Sequence, residues 1–309
     1  MRSCPTSAAP RKVTQGEAGN SQVVHQRTFR VRSYECDAYG HVNNANFLRY
    51  MQEAAMGAWA AAGPGATKEA HWVWREVDME YLRPLRRGEA ATVRTWITGV
   101  GPDGLEQAYE LRLEGSDEVG ASARTRSMAF HEETGRIVPV GPDVRAAFPH
   151  LDPSGPSPSL NWAPPVPPPP SGAFRMSRKV LWQDIDATRC VNSAVYLSYA
   201  TDCGMEVSTA HRWPMSRMTA EGFAIISRRH HIAYGEPARM DDDLVVTTWA
   251  FEAKRATCMR TYTMTRPRDR VLLAQVTTLY VWVDLVTGQP IRIPRQFLAD
   301  FAPNFTSSA

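Results

Sequence analysis

An acid, a glycine, a histidine and two asparagines stand together in Tyr34–Asn44, YECDAYGHVNN, just before an apolar helical pattern. The carboxylate of Asp37 can act as a general base on water or as a nucleophile. A helix that begins at Asn43 or Asn44 offers backbone N–H groups without intrahelical partners and the positive end of its dipole. His41 is placed to orient the carboxylate or the water. The segment therefore has the residue types for attack by an activated oxygen beside a group that stabilises an oxyanion.

Each of these residues also has a simpler explanation. Asn43 and Asn44 are ordinary N-cap residues, and Asp37 is a common turn residue that hydrogen-bonds its own backbone. His41 can be a loop histidine without a catalytic role. Glu53, further along the helix, is either a second carboxylate that faces the site or a solvated surface residue.

The chemistry-bearing segment has a partial copy at Gln183–Ser193, QDIDATRCVNS, and the copy extends over a whole half of the chain. The offset between matching residues drifts only from 149 to 153. The matching landmarks are Asp37 with Asp186, Asn43 with Asn192, Tyr50 with Tyr199, Tyr81 with Tyr234, and Thr134 with Thr287. Chance matches would not keep this register, so we interpret the chain as an internal duplication.

The second copy of the motif has lost two of its residues. Arg189 and Cys190 stand where the first copy has Gly40 and His41. We expect the arginine charge to hold the Asp186 carboxylate and lower its basicity. Cys190 as a nucleophile is disfavoured, since no base flanks it in sequence. The second copy is either a decayed site kept for its packing face or a second, differently tuned site, and we favour one dominant site in the first half.

The composition is that of an ordinary globular protein, with 309 residues, 43% hydrophobic and 22% charged residues. A net charge of +3 without basic runs argues against a nucleic-acid partner. The first 25 residues lack the apolar region of a secretory signal, and no apolar run is long enough to span a membrane. Five scattered cysteines suggest reduced thiols, so we expect a cytoplasmic location.

Proline content divides the chain into four parts. Residues 1–25 are predicted to be a disordered extension, 26–150 a first domain with the fuller motif, and 173–309 a second domain with the degenerate motif. Between them, residues 151–172 are dense in proline and form a semi-rigid linker.

Each half is predicted to contain one strand, one long helix and four further strands. The first strands are Arg27–Tyr34 and Phe174–Trp182, and the helices run from about Asn43 to Ala61 and from about Asn192 to His211. The later strands are predicted from runs rich in β-branched and aromatic residues. These runs are residues 71–82, 90–100, 105–115 and 121–131 in the first half and 222–234, 243–253, 257–266 and 271–284 in the second. This order indicates an α+β fold in which an antiparallel sheet packs on one apolar helix.

The segment DAYGHVNNANFLRYMQEA (residues 37–54), with VDMEYLRPLRRGE (residues 77–89), resembles the 4-hydroxybenzoyl-CoA thioesterase and acyl-carrier-protein thioesterase group. That group has the hotdog fold, a curved antiparallel sheet wrapped around one central helix, so the resemblance implies two tandem hotdog domains. Plastid fatty acyl-carrier-protein thioesterases also hold two hotdogs, but their fuller motif lies in the second one.

The resemblance implies hydrolysis of an acyl thioester carried by CoA or by acyl carrier protein. Asp37 and His41 would be catalytic and Asn44 would be the oxyanion donor, without a metal or another cofactor. The substrate would contact Tyr39, Gly40, Asn43, Asp186 and Tyr196 at an interface between the two hotdogs. The halves would form an intrachain pseudo-dimer that can still assemble further into a homo-oligomer.

Arginines are expected to meet the phosphates of CoA or an acidic carrier, unless they are only solvated surface cations. The candidates are Arg83, Arg86, Arg87, Arg228, Arg229 and Arg239.

Two other functions remain open at this stage. A hotdog dehydratase or hydratase uses the same scaffold, although its acid and histidine are arranged differently. A non-catalytic module that binds acyl thioesters is the other alternative.

Overall fold

The computed structural model describes residues 24–61, 70–116, 118–131, 137–146 and 162–306. Most of the predicted N-terminal extension (1–23) and the first part of the predicted linker (151–161) therefore lie outside the described residues.

The first half contains β1 (His25–Arg30), α1 (Asn44–Ala61), β2 (Ala70–Tyr81), β3 (Ala90–Val100), β4 (Gly104–Leu113), β5 (Val119–His131), β6 (Ile137–Val138) and α2 (Pro142–Ala146). Alternate residues of β3 are buried, as expected for a strand with one face on a core. In α1 one apolar face is buried, at Phe47, Met51, Ala54 and Ala55.

The second half repeats this order with β7 (Phe174–Lys179), α3 (Ser193–Ala210), α4 (Met215–Ala220), β8 (Phe223–Tyr234), β9 (Asp243–Phe251), β10 (Thr257–Arg266), β11 (Val271–Asp284) and α5 (Arg295–Phe301). Helices α2, α4 and α5 and the short strand β6 were not predicted. Aromatic packing holds α5, because Phe297 stacks on Phe301 and also contacts Trp213 and Trp282.

All strands belong to one antiparallel sheet with the order β1-β3-β4-β5-β2-β8-β11-β10-β9-β7, and β6 pairs with β5 beside this path. Each half contributes five consecutive strands of that order and one long helix packed on them. Helices α1 and α3 contact each other, and one hydrophobic core includes residues of both halves. The structure therefore has the predicted two hotdog domains.

The first strand of each half is shorter than predicted, because the chain leaves β1 and β7 for a turn of 3-10 helix at Ser33–Glu35 and Trp182–Asp184. A buried carboxylate holds each turn. Glu35 accepts hydrogen bonds from the Arg32 backbone N–H (2.7 Å) and the Tyr50 hydroxyl (2.8 Å). Asp184 accepts the equivalent hydrogen bonds from the Leu181 backbone N–H and the Tyr199 hydroxyl, both at 2.8 Å. These acids are structural, a role that sequence reasoning did not assign.

The two halves meet where β2 pairs with β8, with Asp78 opposite His231. We call this pairing the seam. On its outer face Arg229 binds Asp78 through two hydrogen bonds of 2.7 and 3.1 Å. Arginines also cross it in both directions, since Arg75 donates to the Gly235 carbonyl at 2.8 Å and Arg228 donates to the Tyr81 carbonyl. The seam is therefore fixed by backbone pairing and by charge.

The described part of the linker is extended and packs on the second half. The Trp162 ring lies 4.7 Å from the guanidinium carbon of Arg229, a cation–π contact directly over the seam. The Trp249 indole donates to the Pro167 carbonyl at 3.1 Å. Among the described residues, no helix is both long and apolar enough to cross a bilayer.

Candidate active site

Asp37 lies in a tight loop closed by a bridge between Cys36 and Val42. Its backbone N–H donates to the His41 carbonyl at 2.7 Å, and its carbonyl accepts from the Gly40 N–H at 3.0 Å. Gly40 has φ +76°, the left-handed conformation that glycine adopts without strain. A Cβ at Gly40 would meet nothing within 4 Å, so the glycine is explained by backbone conformation rather than by the close approach of another group.

One oxygen of the Asp37 carboxylate is used by the loop itself. Oδ1 accepts hydrogen bonds from the backbone N–H groups of Tyr39 (2.9 Å) and His41 (3.2 Å). Oδ2 accepts none from the residues that the structure describes, and the side chain is exposed. This second oxygen is available to water or to a substrate.

The start of α1 follows directly after the loop. The side-chain oxygen of Asn43 accepts from the Ala45 N–H at 3.0 Å, so Asn43 is the N-cap, as the simpler explanation requires. Asn44 is the first helical residue, and no described group accepts its backbone N–H. The Tyr81 hydroxyl donates to the Asn44 carbonyl at 3.2 Å and anchors the first turn to the sheet. An unpaired N–H at a helix start is suited to binding an oxyanion.

The second half repeats the geometry of this loop and helix start. Ile185 bridges Val191, Asn192 caps α3 through the Ala194 N–H, and the Tyr234 hydroxyl donates to the Ser193 carbonyl at 3.1 Å. The predicted site residues therefore divide into two places. Tyr39, Gly40, His41, Asn43 and Asn44 lie in the loop and helix start around Asp37. Asp186 has the place of Asp37 in the second half, and Tyr196, within α3, has the place of Phe47.

The Asp186 carboxylate differs from that of Asp37 in having both oxygens occupied. Oδ1 accepts from the Thr188 N–H (2.9 Å) and hydroxyl (2.6 Å), and Oδ2 accepts from the Asn192 side-chain amide at 3.2 Å. The prediction that Arg189 holds this carboxylate is wrong, because Thr188 and Asn192, and not Arg189, bind it among the described residues. Arg189 instead has the left-handed backbone conformation that Gly40 has in the first loop, with φ +62°.

Tyr196 is predicted to contact the substrate, and its contacts in the structure are with core residues of the second half. It is buried in the core, packs against Tyr199 and Tyr234, and accepts a hydrogen bond from the Ala238 N–H at 2.9 Å.

Burial changes the acidity of two side chains in these loops. It raises the pKa of Tyr39, and the negative charge of Asp37 raises it further. Burial also raises the pKa of the Cys190 thiol, which opposes formation of a nucleophilic thiolate there.

A groove of about 810 Å³ lies between β1 and α1, next to the loop that carries Asp37. We call it the arginine groove, because Arg27, Arg30, Arg32 and Arg49 line it. Glu53 is also at the groove, where it forms an ion pair with Arg27 at 2.8 Å, so it is not a second carboxylate at the loop. Sequence reasoning missed these four arginines because a strand, a turn and a helix bring them together from separate places.

The arginines predicted to bind the carrier are partly engaged elsewhere. Arg83 pairs with Glu118 at 2.9 Å, Arg228 with Glu80 at 3.0 Å, and Arg229 with Asp78 at 2.7 Å. Within the described residues, no group of three or more His, Cys, Asp or Glu side chains could hold a metal ion.

The fold and the site define a tandem hotdog protein with a free carboxylate beside a helix start in its first half. The chain belongs to the Thioesterase-like superfamily, whose family model matches residues 31–148 and 180–301. Both halves of the duplication are thus members of the family.

Individual relatives agree with this assignment. The acyl-CoA thioester hydrolase YbgC of Escherichia coli is 27% identical over 128 residues, which are 41% of this chain and 95% of the relative. The 12:0-ACP thioesterase of Umbellularia californica superposes with a TM-score of 0.67 at 16% identity, over 83% of this chain and 93% of that one. An acyl-ACP thioesterase of Bacteroides thetaiotaomicron gives a TM-score of 0.63 at 14% identity, over 83% and 97%. These two structures share the whole tandem fold.

Proposed function

We propose that the first half hydrolyses an acyl thioester of CoA or of acyl carrier protein to a free acid and a thiol. Thioester hydrolysis is the reaction class of the family to which the chain belongs. Asp37 is the base or the nucleophile, and the backbone N–H of Asn44 is the oxyanion donor. His41 orients the carboxylate or the water, and Tyr39, Gly40 and Asn43 form the wall around the reacting group.

Thioester hydrolysis requires few further groups from the protein. The leaving thiol has a pKa near that of cysteine, about 8.5, so it departs as a thiolate without strong acid assistance. As a base, Asp37 takes a proton from water while the water oxygen attacks the carbonyl carbon. As a nucleophile, it forms a mixed anhydride that water then cleaves. On either route the carbonyl oxygen gains negative charge, which the start of α1 stabilises before the carbon–sulfur bond breaks.

The observation that carries the proposal is the contrast between the two copies of the loop. Asp37 keeps Oδ2 free of described partners, whereas Thr188 and Asn192 occupy both oxygens of Asp186. A carboxylate whose two oxygens both accept hydrogen bonds is a weaker base. The same backbone thus has a reactive acid in one half and a structural acid in the other.

The arginine groove is the proposed place for the phosphates of the carrier. Arg30 and Arg49 have no ion pair with a described carboxylate, and Arg30 donates to the Gly88 carbonyl at 3.1 Å. Arginine binds phosphate through its fixed fork of donors. In the second half, Lys179 and Ser198 replace these arginines. Assembly into a further homo-oligomer and a cytoplasmic location stay predictions.

The test compares Asp37→Asn with its matched control, Asp186→Asn, on a panel of acyl-CoAs, with a thiol-reactive dye as the readout. We expect Asp37→Asn to lower kcat by about a hundredfold or more and Asp186→Asn to change it little. Full activity of Asp37→Asn would move the reaction away from the first-half loop, and loss of activity in Asp186→Asn alone would move it to the second half.

A further inference from the structure

His230 is a buried histidine at the seam with one ring nitrogen that has no partner. Only 2% of its surface is exposed. Nδ1 lies 2.9 Å from the Thr278 hydroxyl, whereas Nε2 is buried and has no hydrogen-bond partner among the described residues. A buried polar atom left unpaired carries a desolvation penalty, which a ligand or a water can remove by hydrogen-bonding to it.

His230 belongs to the second half, and its side chain lies on the face of the sheet that the helices cover. His230 is two residues before Ile232, a member of the shared core, and side chains two apart on a strand share a face. It pairs across the seam with Met79, another core residue. Its ring contacts Tyr81 edge to face, with 5.4 Å between the centroids.

Tyr81 connects His230 to the proposed active site of the first half. Its hydroxyl binds the carbonyl of Asn44, the residue whose N–H is the proposed oxyanion donor. A thioester held there must place its acyl group beside the first turn of α1. Tyr81 lies at that point, and the ring of His230 from the other half packs edge to face against the ring of Tyr81.

The duplication shows that the fold does not require a histidine here. Val77 is the corresponding residue of the first half, because Tyr81 corresponds to Tyr234 at the same offset, and it is fully buried. The same strand position is thus apolar beside the second helix start and polar beside the first. The polar residue, His230, is therefore in the place next to the first helix start, where the Asp37 carboxylate has a free oxygen.

On the basis of the proposed function, we propose that His230 lines the acyl pocket of the first-half site. Its Nε2 would hydrogen-bond to a hydroxyl or keto group of the acyl chain. A plain hydrocarbon chain would leave that nitrogen unpaired. Burial lowers the pKa of His230 to about 3, so the ring is neutral at pH 7 and offers no charge to a carboxylate. The substrate class is therefore that of acyl thioesters with a neutral polar group near the thioester.

The experiment measures kcat/KM for matched acyl-CoA pairs that differ by one hydroxyl or keto group, in a straight-chain and an aromatic series. The wild-type protein should prefer the polar member. His230→Val, which copies Val77, should reduce that preference by about tenfold, and His230→Gln should retain part of it. His231→Asn is the control, because that side chain lies on the opposite face of the same strand.

Equal preference ratios in the wild type and His230→Val would overturn the inference and leave the proposed hydrolysis standing, as expected if a buried water satisfies Nε2. Absence of hydrolysis for every pair would instead contradict the proposed function itself. If His230→Val does not fold, the imidazole nitrogen resonances of labelled wild-type protein provide the decision. A non-hydrolysable hydroxyacyl thioether should shift the Nε2 signal, and an alkyl thioether of equal length should not. Equal shifts would reject the inference.

Discussion

At the scale of single residues, two nearly identical loops differ in what surrounds one carboxylate. The position of Asp37 before a helix start could be predicted from the sequence, because turn and cap residues have strong local preferences. Which oxygens are free could not be predicted. Both copies have an N-cap asparagine, but only Asn192 also turns its amide toward the acid. That choice depends on side-chain rotamers and not on residue type.

The left-handed residue of each loop gives the first prediction. Gly40→Ala should lower the free energy of unfolding by about 1 kcal/mol, because a side chain is strained at positive φ while no contact is disturbed. Arg189→Gly should stabilise the protein or leave it unchanged, because it removes strain at φ +62° but gives the unfolded chain more freedom. Urea unfolding followed by tryptophan fluorescence measures both. A Gly40→Ala variant as stable as the wild type would show that the loop can relax.

At the scale of elements, the long helices and most strands of each half could be predicted from the sequence. The turns that follow the first strand of each half could not. The bounds of β3, β10 and β11 agree with the predicted runs, because runs of β-branched and aromatic residues bounded by turn residues are a strong signal for strands. The predicted ends of β1 and β7 were wrong, because both strands end earlier in the structure. The chain turns there to bury Glu35 and Asp184 against tyrosines of the long helices, a contact between distant residues that no local pattern contains.

The arginine groove, which forms between two elements, gives the second prediction. The double variant Arg30→Ala with Arg49→Ala should raise KM for acyl-CoA several-fold and leave kcat unchanged, because the lost contacts bind the carrier and not the reacting group. KM for the acyl-pantetheine thioester, which lacks phosphates, should not change. Lys179→Ala, at the place of Arg30 in the second half, is the control. Equal increases for both thioesters would mean that the groove does not bind phosphate.

At the scale of the whole molecule, the two halves differ in what they contribute to the proposed site. The first half has the carboxylate with a free oxygen, and the second half is proposed to contribute His230 beside Tyr81. The proposed site therefore depends on how the seam joins the two halves. The sequence predicted the pairing of two hotdogs but not the charges across it, since Asp78 and Arg229 become neighbours only when β2 lies beside β8.

The ion pair at the seam gives the last prediction. The Asp78 side chain is only 12% exposed, and its burial raises its pKa while Arg229 opposes the rise. Arg229→Met should therefore lower the free energy of unfolding by about 3 kcal/mol at pH 7, because it leaves a buried carboxylate without its partner.

The pH dependence of this variant tests the cause. An acid whose pKa is higher in the folded than in the unfolded state destabilises the fold above that pKa, and the penalty disappears as falling pH protonates it. The deficit of Arg229→Met should therefore shrink between pH 7 and pH 5. Adding Asp78→Asn should recover part of the loss at pH 7, since it removes the charge that lacks a partner. A deficit that is independent of pH and unchanged by Asp78→Asn would place the loss in the Trp162 contact of Arg229 and not in the ion pair.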